Sequence, residues 1–148
     1  MTDRTRAVDA WESLYRAQVS ILRRLLAVFP EGLSFNEYDV LFNLYRQPHH
    51  AARIRDLTKH LLLTQPSVSR LIDRIEARGL VTRSRDAHDA RGTVITLSDL
   101  GLELFRRVGA QHSTAIAHEM SVLAPEEIDE LLRLTQKLRG PDAGPRLE

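Results

Sequence analysis

Residues 64–81 read TQPSVSRLIDRIEARGLV, and this stretch decides the fold. Val68, Leu71, Ile72 and Ile75 fall at i, i+3, i+4 and i+7, the spacing of one apolar helical stripe. The opposite face carries Gln65, Ser69, Arg70, Asp73 and Arg74, short hydrogen-bonding groups followed by forked cations. Thr64 suits an N-cap, Pro66 a first turn, and Gly79 a left-handed stop. A capped helix with that polar face suits a DNA major groove; the alternative is an ordinary surface helix with a solvated outer face.

Composition narrows the context. A chain of 148 residues, 43% hydrophobic and 28% charged, is expected to fold as one soluble globular domain. No apolar run approaches the roughly 20 residues that cross a bilayer, and MTDRTRAVDA holds no secretory segment, so a cytoplasmic protein without a membrane partner is expected. With no cysteine there is neither a disulfide framework nor a reactive thiol. The net charge of +1 hides an asymmetry: residues 53–91 hold nine Lys or Arg against five acids, whereas residues 92–148 hold six against nine. The basic excess surrounds the suspected recognition helix, as docking of a polyanion requires.

Working outward, the elements read as four helices, two short strands and two helices. The first helix is expected over about Ala7–Phe29, buried on more than one side. Ser34 caps a second to Tyr45, and a short strand at Ala52–Ile54 leads into a third over Asp56–Leu62. Leu80–Arg85 and Thr93–Leu97 favour strands, and the polar segment DAHDARG between them makes a hairpin tip. Ser98 caps a long helix to Met120, and Pro125 opens a last one that Gly140 and Pro141 end. Two helices joined by the tight LLLT turn, then a hairpin, make a winged helix-turn-helix. The fold class is therefore mainly α with a small β-hairpin wing, flanked by N- and C-terminal dimerisation helices. The expected division is a dimerisation helix in 1–34, the winged lobe in 35–99, C-terminal dimerisation helices in 100–140 and a disordered tail in 141–148. The terminal stripes have no layer in the chain to cover them, so a second copy is their expected partner. A two-fold dimer also sets two recognition helices about 34–36 Å apart, one DNA turn.

With the hairpin in view, the chain resembles the MarR family of bacterial transcriptional regulators over nearly its full length. The resemblance rests on TQPSVSRLIDRIEARGLVTR followed by DAHDARGTVITLSDLG: Asp89, one residue, Arg91, then an alternating strand ending in Leu97-Ser98 and Gly101. The family usually has Thr where Ser98 stands, and either residue can cap a helix. The resemblance implies a dimeric repressor or activator whose DNA affinity changes when a small, commonly phenolic or anionic, molecule binds between the two lobes. The missing cysteine removes the thiol-based oxidant-sensing subset.

On this reading Arg91 enters the minor groove from the wing tip and Asp89 orients its guanidinium through a charge-assisted pair. Gln65, Ser67 and Ser69 contact base edges or phosphate, and Arg70 and Arg74 each meet either guanine or phosphate. Arg55 and Lys59, with Arg53, supply phosphate contacts or simple solvation. Trp11, Tyr15, Tyr38 and Asp56 are the candidate walls of an effector pocket, with core packing the alternative for Trp11. His112 and His118 are six apart, off the spacing of helical metal ligands, and no phosphate loop or nucleophile elbow is present. No cofactor, resident metal or catalytic residue is expected. The function expected is a dimeric regulator binding a pseudo-palindromic operator in double-stranded DNA, in the repressor sense. Its alternative is a winged scaffold for protein interaction or metal sensing without an operator.

Overall fold

The computed structural model describes residues 2–61 and 63–140. Helices α1 (Asp3–Ala27) and α2 (Phe35–Tyr45) are followed by a 3-10 turn (Pro48–His50), strand β1 (Ala51–Arg53), and helices α3 (Ile54–His60) and α4 (Gln65–Ala77). Strands β2 (Val81–Arg85) and β3 (Thr93–Leu97) precede α5 (Asp99–Met120) and α6 (Pro125–Arg139). The tail expected over 141–148, and Leu62 at the end of the expected third helix, lie outside the described residues.

The stripe read in α4 is the centre of the core. Val68, Leu71, Ile72 and Ile75 are buried against Val40, Leu41 and Leu44 of α2, Leu57 of α3, Ile95 of β3, and Phe105 and Val108 of α5. Its ends are held as the sequence requires. Thr64 Oγ1 accepts the Ser67 N–H at 3.4 Å, and beyond Ala77 the chain closes through Gly79 at φ +74. There the Leu80 N–H reaches the Ile75 carbonyl at 3.0 Å and the Gly79 N–H that of Glu76 at 2.8 Å, satisfying carbonyls the helix end would leave open. Ser98 then links both sides of the wing: its hydroxyl accepts the Gly101 N–H at 3.0 Å and donates to the Gly79 carbonyl at 2.6 Å.

The wing has a third strand. β1 pairs antiparallel with β3 (Ala52 opposite Ile95), so β3 is central in the order β1-β3-β2. The strand falls one residue earlier than the sequence suggests because Ile54 already opens α3, and Thr58 Oγ1 donates back to its carbonyl at 2.9 Å. α1 begins earlier too, at Asp3, because Thr2 accepts the Thr5 N–H at 3.2 Å and caps it. The expectation that α1 is buried on more than one side does not hold for the single chain, in which only Leu25 is buried. Val8, Trp11, Tyr15 and Leu26 of α1 stand exposed, as do Ile116 of α5 and Ile128, Leu132, Leu134 and Leu138 of α6.

Candidate nucleic-acid interface

Between the start of α3, the first turns of α4 and the wing tip lies a cleft of 380 Å³ lined by Arg53, Ile54, Arg55, Gln65, Ser69, Asp89, Arg91, Gly92 and Thr93. Five of the residues read from sequence as DNA contacts meet here: Arg55, Gln65, Ser69, Asp89 and Arg91. Three arginines give the cleft its charge, and the α4 N-terminus adds backbone donors and a partial positive charge. Ser67, Arg70 and Arg74 lie outside it. Among the described residues Arg70 meets only Ser67 Oγ, at 3.4 Å, while Arg74 Nε is ion-paired with Glu37 Oε1 at 3.2 Å. Lys59 is turned to the Asp56 carboxylate at 3.2 Å, and both line a separate open cleft of 950 Å³ with Gln47, Arg53, His60 and Asp86.

The wing tip is organised by two carboxylates, and one works differently from the expectation. Asp89 Oδ1 accepts the Arg91 backbone N–H at 3.0 Å, and no ion pair joins it to the Arg91 guanidinium among the described residues. A short Asp side chain two residues upstream closes an Asx turn more readily than it reaches a guanidinium, so Asp89 shapes the loop and leaves the Arg91 side chain free. Asp86, which the sequence reading passed over, is the firmer anchor. It accepts the His88 N–H at 3.0 Å and is ion-paired with Arg53. The His88 N–H, and next the Arg53 charge, hold its carboxyl below the usual aspartate range. The Arg53–Asp86 pair thereby ties the wing tip to the strand leading into α3. Across the sheet, Arg83 of β2 is ion-paired with Asp73 and, at 3.3 Å, with Glu76, which locks the wing to α4.

A second buried acid was also missed. Glu37 is 5% exposed and completes the capping box of α2 with Ser34. It also takes Arg78 Nη1 on Oε2 at 2.8 Å, and Arg78 Nη2 donates to the Gly32 carbonyl at 2.5 Å. The S-x-x-E spacing from Ser34 was the available signal for the cap, but nothing local signals partners 37 and 41 residues away.

The four candidate effector walls are not brought together in the chain. Trp11, 61% exposed, stacks on exposed Tyr15 with ring centroids 6.2 Å apart, which also removes the core reading of Trp11 in the single chain. Asp56 faces Lys59 and Arg55. Tyr38 instead packs against Phe29, Phe105 and His112, at 5.7, 5.2 and 5.2 Å. The expectation that pockets form at lobe junctions put these residues near one seam, but their local sequence carries no signal of which of them share a cavity.

His112 sits inside that cage, 5% exposed, with Phe29 and Phe35 at 5.0 and 6.1 Å and with Nδ1 unpartnered. Burial lowers its pKa, so the folded chain holds it neutral. The contribution of this group to stability is full above its unfolded pKa of about 6.5 and is lost as pH falls from there through the lower folded value. Melting temperature should therefore drop on acidification below about pH 6.5, and His112→Phe should flatten that slope. An unchanged slope in the variant would mean that other groups set it.

Comparison with known proteins agrees with this geometry. A profile described as MarR family matches residues 31–92, the span from the end of α1 to the wing tip. A curated relative from Bacillus subtilis strain 168, the uncharacterized HTH-type transcriptional regulator YkoM, is 31% identical over 134 residues, covering 89% of this chain and 85% of its own. The chain belongs to the MarR family. Among solved MarR-family transcriptional regulators from Streptomyces coelicolor, AbsC is similar with a TM-score of 0.76 at 29% identity, over 95% of this chain and 97% of its own. Sco3205, solved in complex with DNA, is similar with a TM-score of 0.77 at 25% identity, over 94% of this chain and 88% of its own. MarR-family proteins are transcriptional regulators and not enzymes, and the fold is theirs: six helices among the described residues with a small antiparallel sheet. No described helix is long and apolar enough to cross a membrane.

Proposed function

We propose that this MarR-family chain is a homodimeric, cytoplasmic regulator that binds a pseudo-palindromic operator in double-stranded DNA and represses transcription from it. The observation that carries the reading is the cleft in which Gln65 and Ser69 of α4 face Arg55 and Arg91 across a gap open to solvent. Polar base-reading groups beside solvent-facing guanidiniums are the complement of a groove edge flanked by phosphates. The DNA complex of Sco3205, of matching fold, supports the assignment.

Dimerisation has its own support. Residues 1–34 and 100–140 carry the exposed apolar face, including Leu132 at 54% and Leu138 at 73% exposure. A patch of this kind on a soluble chain calls for a partner surface, and α1, α5 and α6 of a second copy supply one of equal length and character. Residues 35–99 then form the DNA-binding lobe. Light scattering should give twice the chain mass at micromolar concentration, and hydroxyl-radical footprinting on the DNA upstream of its gene should give two protected blocks about 10 bp apart. A monomer mass, or uniform protection, contradicts the reading.

The effector, a small aromatic or anionic molecule, belongs on this reading at the junction of the lobes, beside the aromatic cage of Tyr38 and His112. A tenfold change in DNA affinity requires about 1.4 kcal/mol of preference for one spacing of the recognition helices. Trp11 and Tyr15 fit the dimer surface better than the pocket, because both are exposed on α1.

A further inference from the structure

Three residues of α4 read from the sequence as DNA contacts remain without a place in the cleft: Ser67, Arg70 and Arg74. A helix turns about 100° per residue, so Gln65 and Ser69 lie toward the wing, Arg70 points outward from the core stripe, and Arg74 lies on the flank toward α2. On that flank stands Glu37. Its Oε2 accepts the Ser34 N–H at 3.0 Å and Arg78 Nη1 at 2.8 Å, while Oε1 is ion-paired with Arg74 Nε at 3.2 Å. Arg78 is fixed a second time, on the Gly32 carbonyl. The carboxylate is therefore held in place without Arg74 and offers it a fixed partner. The nearest approach of the ion pair is through Nε, the two terminal amino groups of Arg74 make no hydrogen bond among the described residues, and the side chain is 61% exposed.

We propose that Glu37 is a positioning residue for DNA recognition, tethering Arg74 by Nε so that its free amino groups grip a phosphate on the α2 flank while untethered Arg70 reads a base edge. The inference rests on the DNA-binding reading above. A guanidinium has five donors in a rigid fork, so one edge can stay on a carboxylate while the other meets an anion. Holding it there in the free protein reduces the side-chain freedom lost on binding. One carboxylate against two guanidiniums leaves a single positive charge, suited to one phosphate. Arg70, held among the described residues only by a long contact with Ser67, is free to extend into the groove.

The test uses the full chain and two labelled duplexes, the DNA upstream of its own gene and a scrambled duplex of equal composition, read by fluorescence anisotropy. Arg74→Lys keeps the charge but loses the fork, and should weaken both duplexes alike, by about fivefold or more. Glu37→Gln keeps a residue able to cap α2 and should do the same in the parent, yet change affinity less than about twofold when Arg74 is already Lys. Arg70→Ala should instead collapse the ratio between the two duplexes. A merely structural role for Glu37 would lower the melting temperature without this dependence on residue 74. The proposal is overturned if Glu37→Gln tightens both duplexes equally in both backgrounds, the result of deleting a negative charge and nothing more. Arg74→Lys binding both duplexes as the parent does, or altering only their ratio, overturns it without relying on a folded Glu37→Gln. A parent chain that binds neither duplex fails the DNA-binding reading first, and the tether with it.

Discussion

Arg91→Ala is expected to abolish high-affinity operator binding while leaving fold and dimer intact. Arg91 stands at the wing tip with its guanidinium unpaired among the described residues, so no contact is broken in the free protein when it is removed. An exposed surface position changes stability by less than about 0.5 kcal/mol, and the melting temperature should hardly move. Its effect on DNA is large for the same reason: an unpaired cation on a shaped loop is available to a narrow, strongly negative minor groove. One such contact contributes about 1–3 kcal/mol, and a dimer presents two wings, so the loss should be about 2–6 kcal/mol, or about thirtyfold at the least. Asp89→Ala should weaken binding less, because it loosens the Asx turn that aims Arg91 and removes no DNA contact. Affinity and melting curves on both variants check this. Operator binding by Arg91→Ala equal to the parent's would remove the wing from the interface.

The largest effect on stability is expected at Gly101. A Cβ built there meets the Leu80 carbonyl oxygen at 2.0 Å, the carbonyl carbon at 2.9 Å and Leu97 Cδ1 at 2.9 Å. The first two are backbone, and that carbonyl also accepts the Ser98 N–H at 3.0 Å. Neither α5 nor the start of the wing can move away without breaking the junction between them. Gly101→Ala should therefore sit at the upper end of overpacking costs, about 3 kcal/mol or more. In a chain of this size that lowers the melting temperature by about 6–12 °C. Gly109→Ala is the internal control. Its Cβ would meet the Tyr38 side chain, most closely the hydroxyl at 3.3 Å with ring carbons at 3.6 and 3.9 Å, in a helix interior where alanine is the better helix former. That variant should change stability by less than about 1 kcal/mol. Thermal denaturation of the pair decides it, and equal melting temperatures would mean that α5 does not pack as closely on Leu80 as described.

What could be read from the residues alone was what local chemistry dictates. Thr64, Gly79 and Ser98 act within a few residues of themselves, and their roles as cap, stop and cap follow from side-chain reach and backbone freedom. The apolar stripe of α4 was readable because a period of 3.6 residues has one geometric meaning. Glu37 was not, because its partners Arg74 and Arg78 lie 37 and 41 residues away, and chain separation carries no signal of a buried ion pair. Arg53 and Asp86 escaped for the same reason. The role given to Asp89 erred on a finer point. Spacing places the carboxylate two residues before Arg91, but a carboxylate at that distance can take the main chain or the side chain, and here it takes the main chain. The core alternative for Trp11 fails in the single chain, where its indole is 61% exposed, as the uncovered stripes of the terminal helices already implied.

Recognition of DNA sequence through α4 and the wing, as proposed for this MarR-family chain, is open to one decisive measurement: equilibrium binding to the duplex upstream of its own gene and to a scrambled duplex, across 50–200 mM salt. Both affinities should fall steeply as salt rises, because Arg and Lys contacts release counterions, while the upstream duplex stays about 10³-fold or more tighter throughout. Equal affinity for the two duplexes at every salt concentration would contradict it.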